Sequence, residues 1–214
     1  MKEQMNVHKA LSELKTLDAR ISKAIDELNV VVQNKHNNTK ISGLPVAEYA
    51  AEAKKAYQSV NTLISRRNAI KRAVTRSNAV TMVQIAGKEY TVAEAIDMKS
   101  KGVAHLSMLK DRLMNQYAKA KRFAESGNND LDDRADAYIQ SLYQGADLKN
   151  MSDEIKKVRD TFVTAQTVEI IDPIGVAGEI EQLQNEIDEF LTDVDSALSV
   201  SNALTVVDVE YETK

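Results

Sequence analysis

The hydrophobic positions of this chain fall into long stripes of helical spacing. Val7, Ala10, Leu14, Leu17, Ile21, Ala24, Leu28 and Val31 recur at alternating intervals of three and four residues, with Leu11, Ile25 and Val32 widening the stripe. Four unbroken heptads predict an amphipathic helix over about residues 5–33, roughly 40 Å long at 1.5 Å per residue. The polar stretch Asn34–Thr39 ends it, and Gly43 and Pro45 punctuate the next start. Val46, Tyr49, Ala53, Ala56, Val60, Leu63, Ile70 and Val74 then carry a second helix over about 45–77, interrupted by Arg67. Pro45 suits its first turn, where a missing N–H costs nothing. The two helices predict an antiparallel hairpin.

The period then changes to two. Val80–Ile85 is β-branched and alternating and predicts a strand, Ala86-Gly87-Lys88 a turn, and Glu89-Tyr90-Thr91 a returning strand. Thr91-Val92-Ala93-Glu94 is a capping box that opens a third helix. Its stripe is Ala95, Met98, Gly102, Leu106, Leu109, Leu113, Gln116, Ala120 and Phe123. Further helices are expected over about 131–144, from near Asp153, and over about 173–200 behind Asp172-Pro173. Thr167–Ile171 and Leu204–Tyr211 predict two more strands.

Ser77-Asn78-Ala79-Val80-Thr81-Met82-Val83-Gln84-Ile85 matches Ser201-Asn202-Ala203-Leu204-Thr205-Val206-Val207-Asp208-Val209 at five of nine positions. Both copies stand between a long helix and a strand, which indicates an internal duplication. Asn tolerates the backbone that ends a helix, and Ser bonds freed backbone groups, so the motif suits a C-cap. It also suits a polar pocket in which the two Ser-Asn pairs meet near a pseudo-twofold axis. Equivalent strands at the ends of two long helices predict one small sheet, built from 80–91, 167–171 and 204–211, at one end of a bundle. The expected fold is therefore mainly α, a coiled-coil-like helical bundle with a small β-sheet. It divides into 1–91 and 92–214 within one structural unit.

Charge alters this picture at two places. Arg66, Arg67, Lys71, Arg72 and Arg76 stand within eleven residues that contain no acid. Glu179, Glu181, Glu186, Asp188, Glu189, Asp193 and Asp195 lie on the last helix with no Lys or Arg among them. The two runs either pair with each other, or the basic run forms an anion site. In the second case Arg66, Arg67, Lys71, Arg72 and Arg76, with Ser77, Asn78, Ser201 and Asn202, bind a small anionic ligand such as a nucleotide. A net charge of −4, with no helix-turn-helix or zinc pattern, argues against duplex nucleic acid as a partner.

The remaining chemistry is sparse. There is no cysteine, hence no disulfide or thiolate site, and the usage fits a reducing, cytoplasmic compartment. His8, His36 and His105 are scattered without metal spacing. Asn128–Asp133 superficially matches a calcium loop but lacks its central Gly and closing Glu, so acidic capping explains it better. Gly175-Val176-Ala177-Gly178 opens a helix, where backbone N–H groups could take an anion or the glycines could permit close packing. No phosphate-loop, Rossmann, GxSxG or HExxH pattern occurs, no apolar run is long enough to span a membrane, and the first residues hold no apolar signal core. These readings predict a non-enzymatic protein with no cofactor and no metal. Its partners are itself, as a homo-oligomer through the heptad seams, and a second protein or a small anion.

Arg76-Ser77-Asn78-Ala79, the strand after it, the Thr91–Ile96 helix start and the passage from Thr167 to Gln184 resemble a small bacterial family of unknown function labelled septicolysin-like. That resemblance implies a helical fold and no activity. The chain departs from the family in lacking its aromatic C-terminal ending and in duplicating Ser-Asn-Ala. The absence of Cys and Trp, the Asn-rich loops and the coiled helices are also similar to phage-encoded proteins. That likeness implies a host-cytoplasm setting, in which a sponge-like protein would sequester a nucleotide signal in counter-defence.

Overall fold

The structure, a computed structural model, describes residues 1–145 and 147–212. It is mainly α-helical with small antiparallel two-stranded sheets. Chain order is β1 (Lys2–Asn6), α1 (Val7–Asp26), β2 (Lys40–Ile41), β3 (Leu44–Pro45), α2 (Val46–Asn78), β4 (Met82–Ile85), β5 (Lys88–Thr91) and α3 (Val92–Asp97). A π-helical turn, Met98–Gly102, leads into α4 (Val103–Asn128), followed by α5 (Leu131–Leu142), α6 (Asp153–Gln166), α7 (Val176–Leu204) and β6 (Val206–Glu210). No helix among the described residues is long and apolar enough to cross a membrane.

Contacts divide the chain into two units. One is Met1–Lys101 with Glu189–Lys214, and the other is Gly102–Asp188. The division does not follow a cut near residue 91, because β1 pairs with β6 and joins the two ends of the chain.

In the first unit α1 and α2 form the expected hairpin. The core is Met5, Val7, Ala10, Leu14 and Leu17 against Ala69, Ile70 and Val74 of α2 and Val207 and Val209 of β6. Two expectations need correcting here. The helix predicted over 5–33 begins at Val7, because Lys2–Asn6 is a strand, and ends at Asp26 although the heptad pattern continues. Val30-Val31-Val32 are three consecutive β-branched residues, poor in a helix, and Val31 is 93% exposed. The strands also do not form one sheet. β1–β6, β2–β3 and β4–β5 are separate pairs.

The reason lies in the duplication, which the structure extends well beyond nine residues. One copy is α2, Ser77-Asn78-Ala79, β4, β5 and α3. The other is α7, Ser201-Asn202-Ala203, β6, β1 and α1, with its two strands taken from opposite ends of the chain. Thr81 N–H donates to Ser77 O at 2.9 Å, and Thr205 N–H to Ser201 O at 2.9 Å. Val83 pairs with Tyr90 as Val207 pairs with Met5, and Gln84 with Glu89 as Asp208 with Gln4. Even the cross-strand side-chain bond recurs, Gln84 Nε2 to Glu89 Oε1 at 2.9 Å and Gln4 Nε2 to Asp208 Oδ1 at 2.8 Å. The next helix then starts alike. Val92 N–H donates to Thr81 O and Val7 N–H to Thr205 O, both at 2.9 Å. The caps are Thr91, which accepts from Glu94 N–H, and Asn6, which accepts from Lys9 N–H. The Glu94 carboxylate completes the capping box, and the Thr91 backbone and hydroxyl hold its pKa below the usual carboxylate range.

Equivalent core positions are Val7 and Val92, Ala10 and Ala95, Val209 and Ile85, and Ile70 and Val194, all buried. The packing is reciprocal. α2 lies on the β1–β6 sheet, while α7 meets the β4–β5 hairpin, with Asp193 Oδ2 accepting from Ala86 N–H at 3.1 Å and Phe190 edge-on to Tyr90 at 5.7 Å.

The second unit holds α4, α5, α6 and the first part of α7. Thr167–Ile171, expected as a strand, pairs with no other strand among the described residues. Asn128 takes that role, its Nδ2 donating to Val168 O and its Oδ1 accepting from Val168 N–H, both at 2.9 Å. Gly127 is required beside it, since a Cβ there would stand 2.7 Å from Val168 Cγ2. Asp172 caps α7 by accepting from Val176 N–H at 2.8 Å. The stripe predicted for the third helix is also rotated. Leu106, Leu113 and Ala120 turn inward as expected, but Lys110, Tyr117 and Ala124 accompany them, and Leu109 and Phe123 face out.

Leu14→Ala should cost about 2–5 kcal/mol in urea denaturation, and Ile21→Ala less, because Ile21 is only partly buried. The repeat makes a second prediction. Glu210 and Lys2 occupy the places of the turn residues Ala86 and Gly87, whose φ angles are 49° and 73°. A permuted chain that joins Val209 to Glu3 through Asn-Gly and opens between Ala86 and Gly87 should therefore fold and melt cooperatively. Loss of cooperative melting would show that the two sheets are not interchangeable.

Candidate functional site

The basic run of α2 separates into two sets. Arg66 turns toward α1 and β1, with its Nη2 2.6 Å from Glu13 Oε1 and 3.1 Å from Glu3 Oε1. Its guanidinium carbon lies 5.5 Å from the centroid of the Tyr211 ring, a cation–π contact. Arg67 donates to Asp18 Oδ1 at 2.9 Å. These two arginines bind the helical hairpin together. Lys71, Arg72 and Arg76 are exposed and make no ion pair among the described residues.

Among the described residues the basic run makes no ion pair with the acidic run of the last helix, one of the two alternatives its sequence offers. The acids of α7 have nearer partners. Asp193 takes the turn amide of Ala86, and Asp195 is bonded by Lys99. The cause is the reciprocal packing, which brings α7 to the β4–β5 hairpin and α2 to the β1–β6 sheet.

Ser77, Asn78, Ser201 and Asn202 are half-buried at the ends of α2 and α7. Their bonds are local: Ser77 Oγ lies 3.3 Å from Thr81 Oγ1, and the Ser77 and Ser201 carbonyls accept the amides four residues on. No hydrogen bond joins the two motifs among the described residues, and the left-handed Asn cap expected from the sequence does not form: Asn78 is the last residue of α2, with Ala79 as a right-handed cap, and Asn202 lies within α7. His8 and His105 are exposed, and no cluster of metal-binding type occurs among the described residues. The acids of 128–133 also have structural work. Asp130 pairs with Arg134 at 3.1 Å, and Asp132, with Asp136, clamps Arg159 at 2.8 and 2.7 Å. Those two carboxylates raise the Arg159 pKa.

Arg72 is the residue of the predicted set that lines a cavity. A groove of about 1080 Å³ runs between α2 and the end of the β1–β6 sheet. Tyr57, Asn61, Ser65 and Arg72 form its helical wall, and Lys2, Glu210, Tyr211 and Glu212 its other side. Lys2 and Glu210 pair at 2.8 Å, and Glu210 accordingly raises the Lys2 pKa. From Tyr57 to Arg72 the wall extends about 22 Å along the helix. Sequence patterning indicates only Arg72 of this group. Tyr57 and Ser65 lie outside the heptad seam, and Tyr211 arrives through the closing strand.

Arg66→Ala should cost about 1–3 kcal/mol in urea denaturation, by leaving the half-buried Glu3 and Glu13 carboxylates together without a cation. Arg66→Lys should recover only part of this, because an ammonium lacks the planar face that the guanidinium lays over the Tyr211 ring. No family model, no curated protein and no solved structure matches this chain.

Proposed function

We propose that the chain is a non-enzymatic binding and assembly protein that acts through protein–protein contacts, with itself and with a protein partner. The observation that carries this reading is the outer surface of the second unit. α4 has 26 residues, of which Ala124 alone is buried, while Met108 and Phe123 are about 70% exposed and Leu109 and Met114 about half exposed. Ile171 and Ile174 are exposed on the segment that leads into α7, beside an apolar groove of about 250 Å³ lined by Leu113, Tyr117, Ala120 and Ile170. Single exposed apolar residues are ordinary, but a helix that buries so little and exposes two Met, a Leu and a Phe along its length has the composition of an interface.

Flexible methionines and an aromatic ring exposed along one helix suit packing against another helix. The heptad seam of α1 is consumed within the chain against α2 and β6, so self-association rests on α4 and not on that seam; the setting that fits the composition is cytoplasmic.

Met108→Glu with Phe123→Glu tests this. Both side chains are exposed, so the melting temperature of the isolated chain should hardly move. Wild-type protein at micromolar concentration should scatter light with a mass above the monomer, or co-purify with one stoichiometric protein, and the double variant should do neither. A wild-type chain that is monomeric and without a protein partner overturns the reading.

A further inference from the structure

The internal copy acts as a control on the basic run. Positions 124 residues apart keep their apolar character: Ile70 matches Val194, Ala73 matches Ala197, and Val74 matches Leu198. The five cations are not kept. Arg66, Arg67, Lys71, Arg72 and Arg76 correspond to Phe190, Leu191, Asp195, Ser196 and Val200. The same helix, motif and strand thus form without any of these charges. Arg66 and Arg67 are accounted for by Glu3, Glu13 and Asp18. Lys71, Arg72 and Arg76 have no such role in the fold, and Arg72 opens onto the groove.

The groove's chemistry is uneven along its length. Arg72 stands at one end, with Lys71 and Arg76 within one helical turn of it. Asn61 and Ser65 supply neutral hydrogen-bonding groups, and Tyr57 presents a ring that is about half exposed. Tyr211 is held by the Arg66 guanidinium over its ring. On the sheet side Glu212, and the Glu210 carboxylate paired with Lys2, offer acceptor oxygens that suit amino and hydroxyl groups. The positions equivalent to Tyr57, Asn61, Ser65 and Arg72 are Glu181, Asn185, Glu189 and Ser196, a set with neither a cation nor an aromatic ring.

We propose that this groove binds an elongated nucleotide of dinucleotide size. Its phosphate is held by Arg72, with Lys71 and Arg76 adding to the field. One base lies on Tyr57, and base-amino or ribose-hydroxyl groups donate to the carboxylates. The proposal goes beyond the assembly reading and does not depend on it.

The test is calorimetric titration of the full chain with the linear dinucleotide pApA and, separately, with inorganic phosphate. The expected dissociation constant for pApA is on the order of 10 µM. Arg72→Ser, which installs the residue of the other copy, should keep the wild-type melting temperature and weaken pApA binding at least tenfold. Tyr57→Ala should weaken pApA without changing the response to phosphate. Binding of pApA no tighter than millimolar, or binding unchanged in Arg72→Ser, overturns the proposal. Phosphate binding as tightly as pApA overturns the nucleotide assignment, since the groove would then hold an anion without recognising a base.

Discussion

In each copy of the repeat, a single backbone bond ties a helix to a strand. Val7 N–H reaches Thr205 O, and Val92 N–H reaches Thr81 O. A helix N-terminus presents amides with no partner inside the helix. Here the first of them is satisfied by the neighbouring strand, and a side-chain cap from Asn6 or Thr91 covers another. That pair of bonds fixes the angle at which α1 and α3 leave their sheets. It turns Val7 and Ala10, or Val92 and Ala95, inward, where they are buried. Thr205 and Thr81, which directly precede β6 and β4, also donate their own amides back to Ser201 and Ser77, and this anchors the residues whose carbonyls receive the next helix. The Ser-Asn-Ala-x-Thr motif is therefore a joint that ends one helix and positions the start of another.

The helices were legible because their apolar stripes persist over many turns, and so was the joint, because it occurs twice. The β1 strand was not. Lys2-Glu3-Gln4-Met5-Asn6 has one buried apolar residue, and its partner strand lies about two hundred residues away in the chain. Glu3 shares the inward face of β1 with Met5, where composition alone offers no reason for a carboxylate, and it is used against Arg66. Thr167–Ile171 misled for the opposite reason. It has strand composition, but the Asn128 carboxamide supplies the pairing that a strand would have made. In the candidate site the cations were visible in the sequence, but nothing there separated those that hold α1 from those left facing the groove. That distinction depends on where Glu3, Glu13 and Asp18 fall in space.

The duplication also creates a difficulty that the charges resolve. Two sheets with the same register and two helices with matched apolar faces allow an alternative pairing, in which α2 would lie on β4–β5 and α7 on β1–β6. Hydrophobic burial hardly separates the two arrangements, since Ile70 and Val194, or Val209 and Ile85, are nearly interchangeable in volume. The difference lies at Arg66 and its counterpart Phe190. Arg66 meets Glu3 and Glu13 on the β1–α1 side. The equivalent positions on the β5–α3 side are Lys88 and Met98, so the exchanged pairing would set the guanidinium against an ammonium. Phe190 packs edge-on to Tyr90, and the exchanged pairing would set it beside the two glutamates, whose charge it cannot compensate. A partly buried ion cluster adds little stability over an apolar pair. Here its effect is on choice: it penalises the wrong partner, and so selects one of two otherwise equivalent packings.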